Sequence, residues 1–371
     1  QTREHLAIVQ LLEVPRLVVA ITKADLVDEE WMELVRDDVA DLLEGTPYAG
    51  APMIPVAALE GRGLDELRAA LAAVGAESAE RPGHDLTRLP VDRVFSVKGT
   101  GTVVTGTLWS GTLKSGDRVR LLPEGIDARV RGLQVHGADV ERALPGDRTA
   151  VALTGSQIST EALARGSTAV THPTWPPSPM LTVHLEVLPD SAWQIEHRQR
   201  VRVHLGTVEV LARVALMGSE RMEPGASGWA QLRLEEPLAA RAGDRFVVRS
   251  YSPLTTIGGG EVVEPLPPRR RVVHEPEARA WEAIRAGEGV EALGAVLDLH
   301  GWAGTPLDLL PVLSGLPPDR VTEALAQRAG DLDVAGRRLH EDLVATATEA
   351  LLAAVESAHA AHPHRPGATL E

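Results

Sequence analysis

The 371-residue chain contains no cysteine, which excludes disulfides and thiolate metal sites and suits a reducing cytoplasm, the expected location. It has no run near the ~18 consecutive apolar residues that span a bilayer, and no basic-then-apolar leader opens it, so no membrane partner is expected. Lysine is scarce: between residues 85 and 271 every basic residue except Lys98 and Lys114 is arginine. No G-x-x-x-x-G-K-[ST] phosphate loop occurs, and no D-x-x-G switch precedes Thr22. No Gly-x-Ser-x-Gly elbow or paired-carboxylate site stands out either. No catalytic residue is therefore assigned. Gln1 opens the chain and Glu371 closes it after a helical-looking run, so both ends are read as cut.

The net charge of −15 argues against a nucleic-acid partner, but its distribution is uneven. Residues 1–84 carry −9, residues 85–271 carry +3 and residues 272–371 carry −9. The basic middle is arginine-rich, which suits bidentate contact with phosphate or carboxylate and equally reflects a coding bias.

Residues 1–80 read as part of an α/β domain. Leu17 to Ile21 and Met53 to Val56 are short apolar runs of the kind buried in parallel sheets. Between them Trp31, Leu34, Val35, Val39 and Leu42 recur at helical spacing, and Leu64, Leu67, Leu71 and Val74 repeat the pattern afterwards. From residue 89 to 172 and again from 180 to 266, short β-branched runs between Gly, Asp and Pro predict two β-barrels, divided by the Pro-rich stretch Pro173 to Pro179. Residues 272–340 turn helical. Asp308 to Leu325 reads as helix, turn, helix, and Leu332–Val334 with Arg338–His340 reads as a hairpin, together a winged helix. A helix from Glu341 to about His359 would begin a further winged helix over 341–371. His359, His362 and His364 lie close in sequence but lack a fourth ligand, so no metal site is assigned.

Thr22-Lys23-Ala24-Asp25 stands at the carboxyl end of the first strand, where ligands of open α/β sheets bind. An Asp there accepts two hydrogen bonds from the ring N–H and amine of guanine, a donor pair adenine lacks. Alone the tetrapeptide also fits an ordinary turn. Ala57-Ala58, ending the second strand about thirty residues on, would bring a backbone N–H to the base, and the pair at this spacing favours guanine.

These segments resemble the fourth and fifth guanine-recognition motifs of translational GTPases. Thr22 departs from that family's usual asparagine and Ala57 from its serine; selenocysteine-specific factors are similar in carrying threonine. Val94 to Leu108, with Gly111 and Ser115-Gly116-Asp117, resembles the second domain of the elongation factor Tu class, its glycines forming a bulge and a tight corner. Arg249 to Glu261, with three consecutive glycines, resembles the closing strands of the third. A helical extension then follows, as in selenocysteine-specific translation elongation factors. That resemblance implies a partial P-loop GTPase α/β domain, two β-barrels of elongation factor Tu domain II and III type and a C-terminal α winged-helix region. It implies GTP and GDP with Mg²⁺ as cofactors in the intact protein. It implies selenocysteinyl-tRNA, the ribosome and a selenoprotein mRNA hairpin as partners. It also places Asp92, Arg93 and Arg148 around an anionic selenolate; without it these residues read equally as a surface ion pair. A general elongation or initiation GTPase and a non-catalytic RNA-binding adaptor are the alternatives.

Overall fold

The computed structural model describes residues 2–77, 83–172 and 174–362. The expectations touching Gln1, Pro173, His364 and the end of the 341–371 segment therefore lie partly outside the described residues.

Helix α1 (Thr2–Leu11) leads to β1 (Val19–Thr22), α2 (Glu29–Leu43), β2 (Met53–Val56) and α3 (Leu64–Ala76). β1 and β2 pair in parallel, with Thr22 beside Val56. Asp28 caps α2 by accepting from the Trp31 N–H at 3.0 Å. Gly63, at φ 77°, sits where an added Cβ would lie 2.0 Å from the Pro55 carbonyl, so α3 starts pressed against β2. The apolar stripe expected on α2 is only partly buried. Met32 and Leu43 face inward, whereas Trp31 and Leu34 remain 61% and 53% exposed. A two-stranded sheet covers one narrow side of a helix, and nothing among the described residues covers the other.

The first barrel comprises β3 (Arg88–Val97), β4 (Gly101–Thr107), β5 (Arg118–Leu122), β6 (Ile126–Val135), β7 (Arg148–Thr154) and β8 (Thr168–Val170). They run in the order β7-β4-β3-β8-β5-β6, and β6 pairs with β7 to close the ring. Leu89, Val91, Val104, Leu121, Val130 and Val151 fill its interior. The second barrel, β9 (Ser178–Val187), β10 (Arg200–Leu205), β11 (Val208–Leu216), β12 (Ser227–Leu238), β13 (Arg245–Ser250) and β14 (Thr256–Glu264), closes as β9-β12-β11-β10-β13-β14. Closure removes free edges, and strict alternation, clearest from Arg200 to Leu205, sends every second side chain to the core. The three glycines of β14 permit close backbone approach. An added Cβ on Gly258 or Gly260 would lie 2.2 or 1.9 Å from a β9 carbonyl, and one on Gly259 would crowd Leu11 of α1.

Buried ion pairs join the units. Arg88 of the first barrel makes two 2.6 Å bonds to Asp244 of the second, beneath Trp109 and Trp175. Arg241 donates to Asp85 at 2.7 Å and to the carbonyls of Pro311 and Leu316 in the C-terminal unit. That unit comprises α4 (Glu275–Ala286), α5 (Gly289–His300), β15 (Thr305–Pro306), α6 (Leu310–Ser314), α7 (Pro318–Gln327), β16 (Leu332–Val334), β17 (Arg337–Leu339) and α8 (Glu341–Ala361). Its sheet is ordered β15-β17-β16 around a core of Trp281, Leu293, Val296, Leu310 and Val321. The hairpin is one residue tighter than expected, because Ala335 and Gly336 both take positive φ and form a two-residue turn. No described helix is long and apolar enough to cross a membrane.

Candidate functional site

Two sites follow from this arrangement. At the first, Thr22 ends β1 and Lys23 takes the left-handed conformation, φ 59° and ψ 37°, which turns the chain sharply off the strand. Asp25 follows in a single turn of 3₁₀ helix, exposed and without a hydrogen bond or ion pair among the described residues. Parallel pairing puts Ala57 and Ala58 immediately past the same end of the neighbouring strand. Ala57 is 1% exposed, and its N–H donates to the Arg62 carbonyl at 3.0 Å. That bond occupies the Ala57 N–H. Ala58 is exposed, and its N–H has no backbone acceptor among the described residues, so it is the donor this loop can offer.

The second site lies on the outer wall of the first barrel. In a regular strand Asp92 and Arg93 would face opposite sides. The β3–β4 register instead slips between Val91 and Arg93: Val91 pairs with Gly106 and Arg93 with Thr105. This bulge leaves Asp92 unpaired and turns it, with Arg93, toward Thr105. Gly106 supports the close approach, since an added Cβ there would lie 2.1 Å from the Pro90 carbonyl. The bulge thus falls in β3, opposite the glycine-bearing strand rather than on its glycines. On the far side of β4, Arg148 pairs with Thr107 and reaches back to form an ion pair with Asp92.

Asp92 is the centre of this group. Its Oδ1 accepts from the Thr105 hydroxyl at 2.7 Å and its Oδ2 meets the Arg148 guanidinium. Partial burial raises its pKa, but the Thr105 hydroxyl, Arg148 and the charge of Arg93 outweigh burial and hold it below the ordinary aspartate range. Arg93 is exposed and forms no hydrogen bond or ion pair among the described residues. One carboxylate against two guanidiniums leaves this face cationic.

Sequence reasoning did not identify Thr105, although alternation from the buried Val104 would have placed it outward. It also passed over an arginine ladder on the second barrel, where Arg213 stands opposite both Arg200 and Arg233. Burial, followed by the charges of Arg269, Arg198 and Arg271, pulls the pKa of Arg233 down. Like charges directly opposite on neighbouring strands destabilise a sheet. Glu235 answers Arg200 with bonds of 2.8 and 2.6 Å, whereas Arg213 and Arg233 have no carboxylate ion pair among the described residues. Among the described residues no cluster of three His, Asp or Glu could hold a metal.

Comparison with known proteins defines the class. The elongation factor Tu GTP binding domain family matches residues 1–76 and elongation factor Tu domain 2 matches residues 101–170. The β-barrel domain family of selenocysteine-specific elongation factors matches residues 182–269. These matches and the two closed barrels place the chain in the elongation factor Tu class of translational GTPases. A selenocysteine-specific elongation factor from Desulfomicrobium baculatum is 40% identical over 316 residues, covering 85% of this chain and 49% of that protein. The Escherichia coli factor is 36% identical over 303 residues, covering 80% and 46%. The crystal structure of a bacterial selenocysteine-specific elongation factor, EF-Sec, superposes on 96% of this chain and 56% of its own with a TM-score of 0.76, at 23% identity. SelB from Methanococcus maripaludis in complex with the GTP analogue GPPNHP superposes on 72% and 63%, with a TM-score of 0.63 and 26% identity. The chain belongs to the selenocysteine-specific elongation factor family. It spans about half the length of the curated bacterial relatives it matches.

Proposed function

We propose that this chain carries the guanine-recognising and aminoacyl-recognising parts of a GTP-dependent factor that delivers selenocysteinyl-tRNA to the ribosome at recoded UGA codons. The observation that supports it most is the cationic group at Asp92, Arg93 and Arg148. A selenol is far more acidic than an alcohol, so at neutral pH selenocysteine presents an anion where serine presents a neutral hydroxyl. A face that sets two guanidiniums against one carboxylate favours the former.

The first site fits a guanine base. Asp25 has both carboxylate oxygens open, the Lys23 stem can lie over the ring, and Ala58 offers an N–H. Bound GTP with Mg²⁺ would supply the hydrolysable bond that times release of the tRNA. This sequence contains no phosphate loop, so the 371 residues alone should not turn over GTP. Arg213 and Arg233 of the arginine ladder, with Arg198, Arg269 and Arg271 nearby, suit the phosphate backbone of the tRNA, while Arg200 is held by Glu235. In the C-terminal unit, helices α5, α6 and α7 with the three strands have the order and sheet of a winged helix, which we assign to the side of the molecule that meets an mRNA hairpin.

The test is equilibrium binding of selenocysteinyl-tRNA and seryl-tRNA by a full-length factor containing this chain, with GTP. Tighter binding of the selenocysteinyl form, reduced in Arg93→Ala and Arg148→Ala, is expected. Equal affinities in the wild type would remove the selenocysteine reading, and absence of GTP turnover would favour a non-catalytic adaptor.

A further inference from the structure

We infer that Thr105 is a positioning residue for side-chain selection: its hydroxyl occupies one oxygen of Asp92 and thereby keeps Arg93 free to meet the anionic ligand. The inference rests on the pocket reading above and deepens it.

Asp92 can satisfy one of its two arginine neighbours or divide itself between them. In this fold its Oδ2 goes to Arg148 and its Oδ1 to the Thr105 hydroxyl at 2.7 Å. Arg93 is left out, although it pairs across the strands with Thr105 and its charge reaches Asp92. The two arginines are therefore not equivalent. Arg148 is neutralised and fixed by Asp92, whereas Arg93 keeps a whole charge and five donors for whatever enters. The bulge enforces the competition, because it sets Asp92 and Arg93 side by side over a single opposite residue. With valine in place of Thr105 the carboxylate would lose its neutral donor. Its Oδ1 would then be open to Arg93, and an internal Arg93–Asp92 pair would close the cation to ligands. Serine would keep the donor.

The experiment compares wild type, Thr105→Val and Thr105→Ser in the full-length factor, titrated with selenocysteinyl-tRNA and seryl-tRNA under GTP. Thr105→Val should lower the selenocysteinyl-to-seryl affinity ratio about tenfold, the effect of one hydrogen bond to a charged group, while seryl-tRNA binding stays unchanged. Thr105→Ser should retain the wild-type ratio. Retained seryl-tRNA binding distinguishes this from misfolding. A wild-type ratio in Thr105→Val, or an equal loss for both tRNAs, would overturn the role of Thr105 while leaving the pocket reading standing. A wild type that binds both tRNAs equally would overturn the pocket reading and the inference together.

Discussion

The α/β unit and the first barrel hold their candidate residues by different means. In residues 2–77 a two-stranded parallel sheet carries three helices, α3 buries no residue, and Leu26, Trp31 and Leu59 are exposed. Its chemistry sits on strand ends and a left-handed turn, where backbone direction alone sets the geometry. In the first barrel a closed ring of six strands surrounds a dense core, and the candidate side chains stand on the wall of a strand. The ion pairs that fasten the α/β unit to the second barrel are within reach of water. Glu4 accepts from Arg249 and from the N–H and hydroxyl of Thr256, and Glu13 pairs with Arg245 at 2.6 Å. The barrels are fastened to each other and to the C-terminal unit by groups that water hardly reaches, the Arg88–Asp244 side chains being 8% and 6% exposed. The difference separates a detachable element from a rigid platform, and it can be tested by breaking each kind of contact.

The largest effect is expected where the platform is welded. Arg88→Ala leaves the buried Asp244 carboxylate without its cation, still held by the Arg241 backbone N–H at 2.8 Å. It should cost about 3–5 kcal/mol, against a smaller loss when both partners are replaced by apolar residues of similar size. Urea unfolding followed by tryptophan fluorescence measures this, since Trp109 and Trp175 border Arg88. A loss below about 1 kcal/mol, the range of a surface pair, would mean the interface is wetter and looser than its burial implies.

A smaller effect is expected at the apolar part of the α/β attachment. Leu11, 7% exposed, packs on the Cβ-free backbone of Gly259. The Tyr48 hydroxyl ties the end of the same helix to its own unit, its single proton within reach of the Val14 carbonyl at 2.7 Å and the Val9 carbonyl at 3.2 Å. Leu11→Ala should remove about 2 kcal/mol or more of local stability. Hydrogen exchange should quicken in residues 2–77 and stay unchanged in the barrels. Equal quickening of both would show that the two regions unfold as one.

Most of the architecture was legible in the sequence because it rests on local periodicity: β2 falls at Met53–Val56, and the turn at Gly315 separates two helices where the glycine stood. What was not legible depends on register or on distant partners. The bulge at Asp92 arises from how β3 meets β4, and a strand read alone would have parted Asp92 from Arg93. Arg88–Asp244 and Arg241–Asp85 each join residues 156 apart, which no local pattern encodes. The exposed Trp31 and Leu34 failed for the opposite reason, since periodicity marks an apolar face without saying what covers it. At the candidate site past β1 and β2 the strand ends were readable, but not that Ala57 gives its N–H to Arg62 and leaves the Ala58 N–H without a backbone acceptor among the described residues.

The smallest predicted effect concerns pH and the ionic part of the attachment. The Thr256 hydroxyl is the main cause, with the Thr256 N–H and Arg249, that the Glu4 carboxyl lies below the ordinary glutamate value despite some opposition from burial. A carboxyl lowered on docking contributes its full stabilisation above its undocked pKa, about 4.3, and loses it as pH falls through the docked value. Hydrogen exchange in residues 2–77, corrected for its intrinsic pH dependence, should therefore gain an added opening term below the ordinary glutamate range. In Glu4→Gln that pH-dependent term should be reduced. A term of the same size in wild type and Glu4→Gln would place the sensitivity elsewhere than this contact.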